Sequence, residues 1–501
     1  MSEPVMQRVL SRFLGVVPAL LSSVVVCAIY LPGALRRSAW SDEIPWLEYT
    51  EFPICYAVGR PVCAFGYEAL FPATVDGLVL LRVLGVAGIA LVAAVMVFCL
   101  VRWGVPAGRA TLWVVAAVLL PSFHSYAGWG AAFMMPWTAV LGFLSGLLWF
   151  KTDSRKFGLW RAFAIATLVL SLLSYPPSAM FCWVYLGLRV LVLRTRPKLV
   201  LKQVLSMTWL LLVAGTAFVL IASALRLVKG VPVSYRFRVL SSVPEIFEKL
   251  AWFVSHPVVV ATRPFVIDSP SNTSALLTGG PILILVVIGL ASRSSGRPVE
   301  RLASLCLYAT ILSLTMFTHL VGIENQLEYR YMAGISIIMF AYISVAGVEL
   351  VRVISLSWLN LSQRMTGRIV TVSSLLVLTL LVPFAALRAT QNIDRVFIEP
   401  YSDKEKYIQE ALLGFDLDRY DRIIAISDPS FYPSRQHLGV YSTVTDLSHP
   451  WVPAPMIRLV LREIYEVHDT IRVDVVARED PNLGPTDYVV DFRPFAQALK
   501  D

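Results

Sequence analysis

Apolar runs of about 18 residues or more recur along the chain from residue 13 to residue 388, separated by short polar or proline-containing breaks. Read as membrane-crossing helices they give about eleven spans, centred near residues 23, 90, 115, 138, 167, 185, 215, 283, 311, 341 and 378. The first run ends at "LPGALRR" with no small-x-small cleavage pattern, so it is expected to stay as a helix rather than be removed as a signal peptide.

Three breaks carry patterns of their own. In the first, residues 36–77, Ile44, Leu47, Glu48 and Glu51 recur at helical spacing and Pro45 suits a first helical turn. This predicts a short helix lying at the interface, broken at Pro53 and resumed through Ile54, Tyr56 and Val58. The second, residues 229–275, contains the amphipathic "VPEIFEKLAWFVSHP", too polar to span and expected to lie in the interface. The third is short and reads "HLVGIENQLEYRYM".

After residue 388 the pattern changes. "DRIIAIS", "IRVDVVA" and "TDYVVDF" are strand-like by their β-branched content, and "APMIRLVLREIYEVH" has helical periodicity. "SDPSFYPSR" and "REDPNLGP" are turn-rich. The expected fold is therefore a polytopic α-helical membrane protein of about eleven transmembrane helices over residues 1–388. A small C-terminal α/β domain over residues 389–501 follows it, and no internal repeat is evident.

Composition strengthens this reading. The chain has 501 residues, 57% of them hydrophobic and only 15% charged, with a mean hydropathy of +0.68. A soluble domain carries about 25% charged residues.

The net charge of +9 would suit nucleic acid, but its placement argues for topology. With the N-terminus in the cytoplasm, alternate breaks hold Arg8 and Arg12, then Arg102 and Arg109, then Lys151, Arg155, Lys156 and Arg161. Arg194, Arg196, Lys198 and Lys202 follow, then Arg293, Arg297 and Arg301, then Arg352, Arg364 and Arg368. That is the positive-inside arrangement of a cytoplasmic (inner) membrane protein. An odd number of spans puts the C-terminal domain outside, beside the 36–77 and 229–275 loops.

Of the cysteines, Cys27, Cys99, Cys182 and Cys306 fall in apolar runs and read as small apolar residues. Cys55 and Cys63 share the first loop, where they can be bridged or free. No Cys or His spacing suggests a metal.

Candidate chemistry gathers in the loops. Asp42 and Glu43 precede Ile44-Pro45 and read either as helix-capping acids or as a general base for an attacking hydroxyl; one geometry can serve both. Arg60 reads as a headgroup anchor or a phosphate ligand, for which guanidinium offers a planar donor fork. Arg330 carries the same alternative beside an ion pair with Glu328. Arg263, Arg236 and Arg238 are further cations of the second loop. Arg82, inside a span, is expected to face other helices. The two prolines of "LSYPPSAM" read as ending one span and starting the next, and His124 as structural.

The Asp-Glu pair after the first span, the Gly59-Arg60-Pro61 that follows, and the Ser174-Tyr175 before a middle span resemble the GT-C superfamily of membrane glycosyltransferases. Within it they look most like the bacterial O-antigen glucosyltransferases of the GtrII type, over roughly residues 10 to 390. The resemblance implies a polyprenyl-phosphate-linked sugar as donor, a cell-envelope or other extracytoplasmic glycan as acceptor, and an outward-facing site. It implies Asp42 as the catalytic carboxylate with Glu43 second, and Arg60, Arg330 and Arg263 on the donor phosphate. Trp46, Glu48, Tyr175 and Glu328 are then the expected acceptor- and sugar-binding residues. No cofactor is expected to be required; some GT-C members use a divalent metal, and no ligand set here favours one. A lipid-linked glycan polymerase or ligase, and a flippase or transporter, remain the alternatives.

Overall fold

The computed structural model describes residues 3–40, 42–151, 157–234, 238–267, 272–293, 297–325, 327–357, 359, 361–416, 418–427, 452–465, 471–476 and 484–494. Arg236 and most of both C-terminal turn-rich stretches lie outside the described residues.

Each of the eleven expected span centres falls in a helix. In order these are α1 (Glu3–Ala34), α5 (Leu78–Arg102), α6 (Ala107–Val118), α8 (Met134–Trp149), α9 (Phe157–Ser174) and α11 (Phe181–Leu193). They continue with α12 (Pro197–Val228), α15 (Asn272–Arg293), α16 (Pro298–Leu314), α18 (Tyr329–Ser357) and α19 (Gln363–Ile393). Seven helical stretches among the described residues are long and apolar enough to cross a membrane. They are Gly15–Ala34, Leu78–Arg102, Gly130–Trp149, Pro176–Leu193, Pro197–Val228, Tyr329–Ser357 and Gln363–Ala411. The chain is thus a polytopic helical protein of membrane type.

The difference from eleven has physical causes. Helix α6 is too short to cross alone and bends by 68° into the buried α7 (Pro121–Gly128). Helices α9 and α15 are apolar but shorter, and α16 opens with Glu300 and Arg301.

Proline sets many of the boundaries, since its fixed φ suits a first helical turn where no N–H is needed. It opens α7, α12 and α16, and likewise α10 (Pro176–Ala179), which follows an extended Tyr175 as the double proline implied. Buried Arg82 donates to the carbonyls of Ala34 (3.1 Å), Arg36 (2.7 Å) and Ser38 (2.6 Å), so it satisfies the chain end of α1 from inside α5. A β-carbon at Gly85 would lie 2.3 Å from the Tyr126 carbonyl oxygen, so glycine there lets α5 and α7 touch along their backbones.

The first loop folds into α2 (Glu43–Trp46), α3 (Pro53–Ala57) and α4 (Pro61–Leu70). The second contains α13 (Val243–Phe253), started by a Ser242–Glu245 capping box, and α14 (Val259–Ala261); the third contains α17 (Phe317–Val321). The three loops meet. Ser234 N–H donates to the Ala57 carbonyl (3.2 Å), and an antiparallel bridge joins Val239 to Gly322.

The three expected strands form one parallel sheet in the order β2-β1-β3, with β1 (Arg422–Ile426) central and β2 (Arg472–Val476) and β3 (Asp487–Asp491) beside it. Arg422 holds the strand starts in register through Asp487 (2.8 and 2.6 Å) and Asp474 (3.3 Å). Helices α20 (Glu399–Ala411) and α21 (Pro453–Ile464) accompany the sheet. The expected boundary at 388–389 falls inside α19, which runs through a π-helical turn at Asp394–Ile398 into α20.

This C-terminal unit shares one hydrophobic cluster with the first loop: Ile44, Leu47 and Phe52 pack with Tyr401, Ile408, Ile423, Met456 and Ile457. Arg458 of α21 forms a two-pronged pair with Glu48, 2.8 Å on each arm, and Arg37 reaches Glu463 (2.6 Å) and Glu405 (3.0 Å).

Candidate functional site

At the loop end of the bundle two guanidinium groups sit on aromatic faces in a continuous ladder. Arg60 lies over the ring of buried Tyr175, 4.5 Å from its centroid. Tyr175 stacks on Tyr331, with centroids 6.2 Å apart and planes 12° apart. Arg330 is then held between Tyr331 (4.8 Å) and Trp129 (4.6 Å), and Trp129 packs edge-on against Trp40 (5.5 Å). Such faces steady a cation without neutralising it.

Local sequence explains the placement. Gly59 takes a left-handed conformation (φ 72°), and Pro61 starts α4 directly afterwards, so Arg60 projects from a fixed bend. Arg330 stands in the first turn of α18, next to its ion-pair partner Glu328. Tyr126 of α7 donates to the Arg330 carbonyl (3.0 Å) and shares a hydrogen bond with Ser178 (3.1 Å), tying α7 and α10 to the start of α18. Asp42 is close enough to Arg330 to act on it electrostatically. The Tyr175 hydroxyl, the Trp129 N–H and Arg60 Nε make no hydrogen bond among the described residues.

Arg60 and Tyr331 of the ladder border a groove of about 660 Å³, while Tyr175, Arg330, Trp129 and Asp42 stand behind them and do not line it. Its walls are largely apolar: Leu211, Gly215 and Val219 of α12, Pro177, Trp183 and Leu314. Arg60, Arg238, His319, Glu324 and Tyr331 supply polar or aromatic character. His319 lies 4.6 Å from the Tyr331 ring, and burial, reinforced by Arg60, Lys249 and Arg330, pushes it down to about 3. It is a neutral imidazole at ordinary pH. Lys249 donates to the Glu324 carbonyl (2.7 Å) and to Asn325 (2.8 Å), and burial lowers it to about 8.

Several expectations are redirected. Glu43 is fully buried and turned away from the groove. Its two oxygens accept from the backbone N–H of Trp40 (2.7 Å) and of Ala131 (2.8 Å), with Arg82 nearby. It staples the first loop to the 129–131 turn and does not pair with Arg60. Burial pushes its carboxyl up to about 7 against the opposing pull of Arg82 and the amides. A β-carbon at Gly130 would come within 2.7 Å of a Glu43 oxygen, so glycine there makes room for the staple. Asp42 occupies the N-cap position of α2, yet its backbone is helical and it makes no capping bond, so capping does not account for it.

Glu48 is held by Arg458 rather than turned toward the ladder. Trp46 packs among Phe52, Tyr67 and Phe71 (5.3 to 5.8 Å) in the first-loop core. Arg263 follows α14 and does not line the groove. Arg60, Tyr175, Glu328, Arg330 and Asp42 are the expected residues that come together. Arg238, one of the second-loop cations, joins them at the groove, and Trp129, Tyr331, His319 and Lys249 are site groups that the sequence pattern did not mark; the aromatics around Arg330 in Glu328-Tyr329-Arg330-Tyr331 do not by themselves disclose a shared ladder.

Among the described residues no group of three or more His, Cys, Asp or Glu side chains is placed to hold a metal ion. No protein-family model matches the chain, and no curated protein matches it significantly. Chemically, Arg60 and Arg238 stand beside a largely apolar wall, with Arg330 held behind Tyr331, an arrangement that suits an amphiphile with an anionic head.

Proposed function

We propose that the chain is an integral-membrane glycosyltransferase. In this reading it moves a sugar from a polyprenyl-phosphate-linked donor to a cell-envelope or other extracytoplasmic glycan. The single observation that carries the reading is the Arg60–Tyr175–Tyr331–Arg330 ladder beside an apolar groove. A polyprenyl tail fits the groove by hydrophobicity, and a departing phosphate is matched by guanidinium forks whose charge is held ready before it arrives. Asp42 stands on the electrostatic doorstep of Arg330, where a carboxylate can take the proton of an attacking acceptor hydroxyl. The oxygen–carbon bond to the acceptor forms as the sugar–phosphate bond breaks, the proton goes to Asp42, and the bonding electrons leave with the phosphate.

The GT-C-like order of first-loop acids, Gly-Arg-Pro and Ser-Tyr supports the same reading. With it go about eleven crossings, α6–α7 serving as one bent crossing, and an inner-membrane location with the N-terminus cytoplasmic and the C-terminal unit outside. A flippase reading is less favoured because the ladder lies at a helix end, among loops, rather than at mid-span.

The test is transfer by the purified chain in nanodiscs from a synthetic polyprenyl-phosphate sugar to envelope glycan. Mass addition to the glycan with release of polyprenyl phosphate supports the proposal. Movement of intact donor between leaflets without cleavage supports a flippase instead.

A further inference from the structure

We infer that Cys55 and Cys63 form a disulfide that clasps the bend carrying Arg60. Both residues are buried, at 5% and 4% exposure, in the same hydrophobic cluster, and each thiol shifts the ionisation of the other. Both are free thiols in this structure. They lie on consecutive short helices, Cys55 in α3 and Cys63 in the first turn of α4, and between them runs Tyr56-Ala57-Val58-Gly59-Arg60-Pro61-Val62. The Arg60 N–H already donates to the Cys55 carbonyl (2.7 Å), so the backbone is folded back on itself there. A covalent bond between the sulfurs closes a small ring around the left-handed Gly59 and the ladder's Arg60.

The local environment shifts the two thiols in opposite directions. The neighbouring Cys55 thiol, with the Arg60 cation, holds the Cys63 thiol below its ordinary value despite burial. The Cys55 thiol is held above its own by the neighbouring Cys63 thiol and by burial. The roles of the two sulfurs are interchangeable; in one order Cys63, as its thiolate, goes first. It attacks one sulfur of an oxidising dithiol–disulfide exchange protein and expels the other as a thiolate, forming a mixed disulfide. The Cys55 thiolate then attacks the Cys63 sulfur, and the oxidant's second sulfur leaves. Two electrons and two protons end on the oxidant as its two thiols, and one S–S bond remains in this chain. The clasp restricts the freedom of the Arg60 bend in both folded and unfolded chain, which pre-positions the guanidinium over Tyr175.

The experiment uses the full chain in its native membrane, quenched in acid and alkylated with N-ethylmaleimide under denaturing conditions before and after reduction. Trypsin does not cut before Pro61, so both cysteines fall on one peptide, residues 38–82. The expected result is that most of this peptide is unalkylated and lighter by two hydrogens before reduction, and carries two maleimides after it. Cys27, Cys99, Cys182 and Cys306 should be alkylated from the start. Two maleimides on most of the 38–82 peptide without reduction would overturn the inference. This readout needs no transfer activity, so it stands or falls separately from the glycosyltransferase proposal. A Cys55→Ser variant controls for mispairing: its remaining Cys63 should be fully alkylated, and a Cys63 joined to any other cysteine counts against the clasp.

Discussion

Replacing Glu43 separates an architectural acid from a chemical one. The side chain is fully buried and accepts from two backbone amides at 2.7 and 2.8 Å. Alanine leaves both amides without an acceptor, and a buried group so orphaned costs about 1–3 kcal/mol, or roughly 2–6 kcal/mol for the two. Glutamine keeps the shape and one acceptor oxygen but turns an NH2 toward the other amide, for about 1–3 kcal/mol. Thermal unfolding of detergent-purified protein near pH 4.5, where the carboxyl contributes in full, should therefore rank the parent above Glu43→Gln and Glu43→Gln above Glu43→Ala. A pH series adds a sign. The folded carboxyl is raised from 4.5 to about 7, so its contribution to stability is full below pH 4.5 and is lost as pH rises to 7. The advantage of the parent over Glu43→Gln should shrink by up to roughly 3 kcal/mol across that window and then level off. A Glu43→Ala protein as stable as the parent yet devoid of transfer would refute the staple and make Glu43 a chemical group.

Two further outcomes follow from the ladder and from the docked C-terminal unit. Arg60→Ala should raise the donor KM, with Arg60→Lys restoring charge but not the planar fork; donor kinetics unchanged in both folded variants would reduce Arg60 to a packing residue. Arg458→Ala should lower stability by no more than about 1 kcal/mol, because the Glu48–Arg458 pair is part-exposed while the shared Ile44–Met456 cluster remains; a double-mutant cycle with Glu48→Ala measures the coupling, and values well above that would mean the pair alone holds the unit in place.

Much of the fold was legible from local pattern. Hydrophobic run length placed each expected span centre in a helix, though only seven stretches among the described residues are long and apolar enough to cross a membrane; proline marked several first turns, and β-branched runs located the three described strands. What stayed hidden depended on distance along the chain. Glu43 meets Ala131 across 88 residues and Arg458 meets Glu48 across 410, so neither pairing leaves a periodic trace. The acids before Ile44-Pro45 have the composition of a cap, yet among the described loop residues it is Ser242–Glu245, with its Ser-x-x-Glu spacing, that forms a capping box. Arg60, Tyr175 and Arg330 were recognisable singly as polar or aromatic groups at helix ends. Their union needed Tyr331 and Trp129 as rungs, and helix packing alone brings those rungs together. The bend between α6 and α7 leaves no trace in the pattern for a related reason: total hydropathy does not reveal a change of direction.

The central claim is most directly tested at Asp42. In the proposed chemistry Asp42 is the base, and Asn keeps its size while removing the proton acceptor. Sugar transfer from a synthetic polyprenyl-phosphate donor, measured in nanodiscs alongside donor binding and thermal midpoint, should fall about 10²–10⁴-fold in kcat for Asp42→Asn. Donor affinity and stability should stay close to the parent's. Near-normal turnover by a folded Asp42→Asn protein would contradict the account.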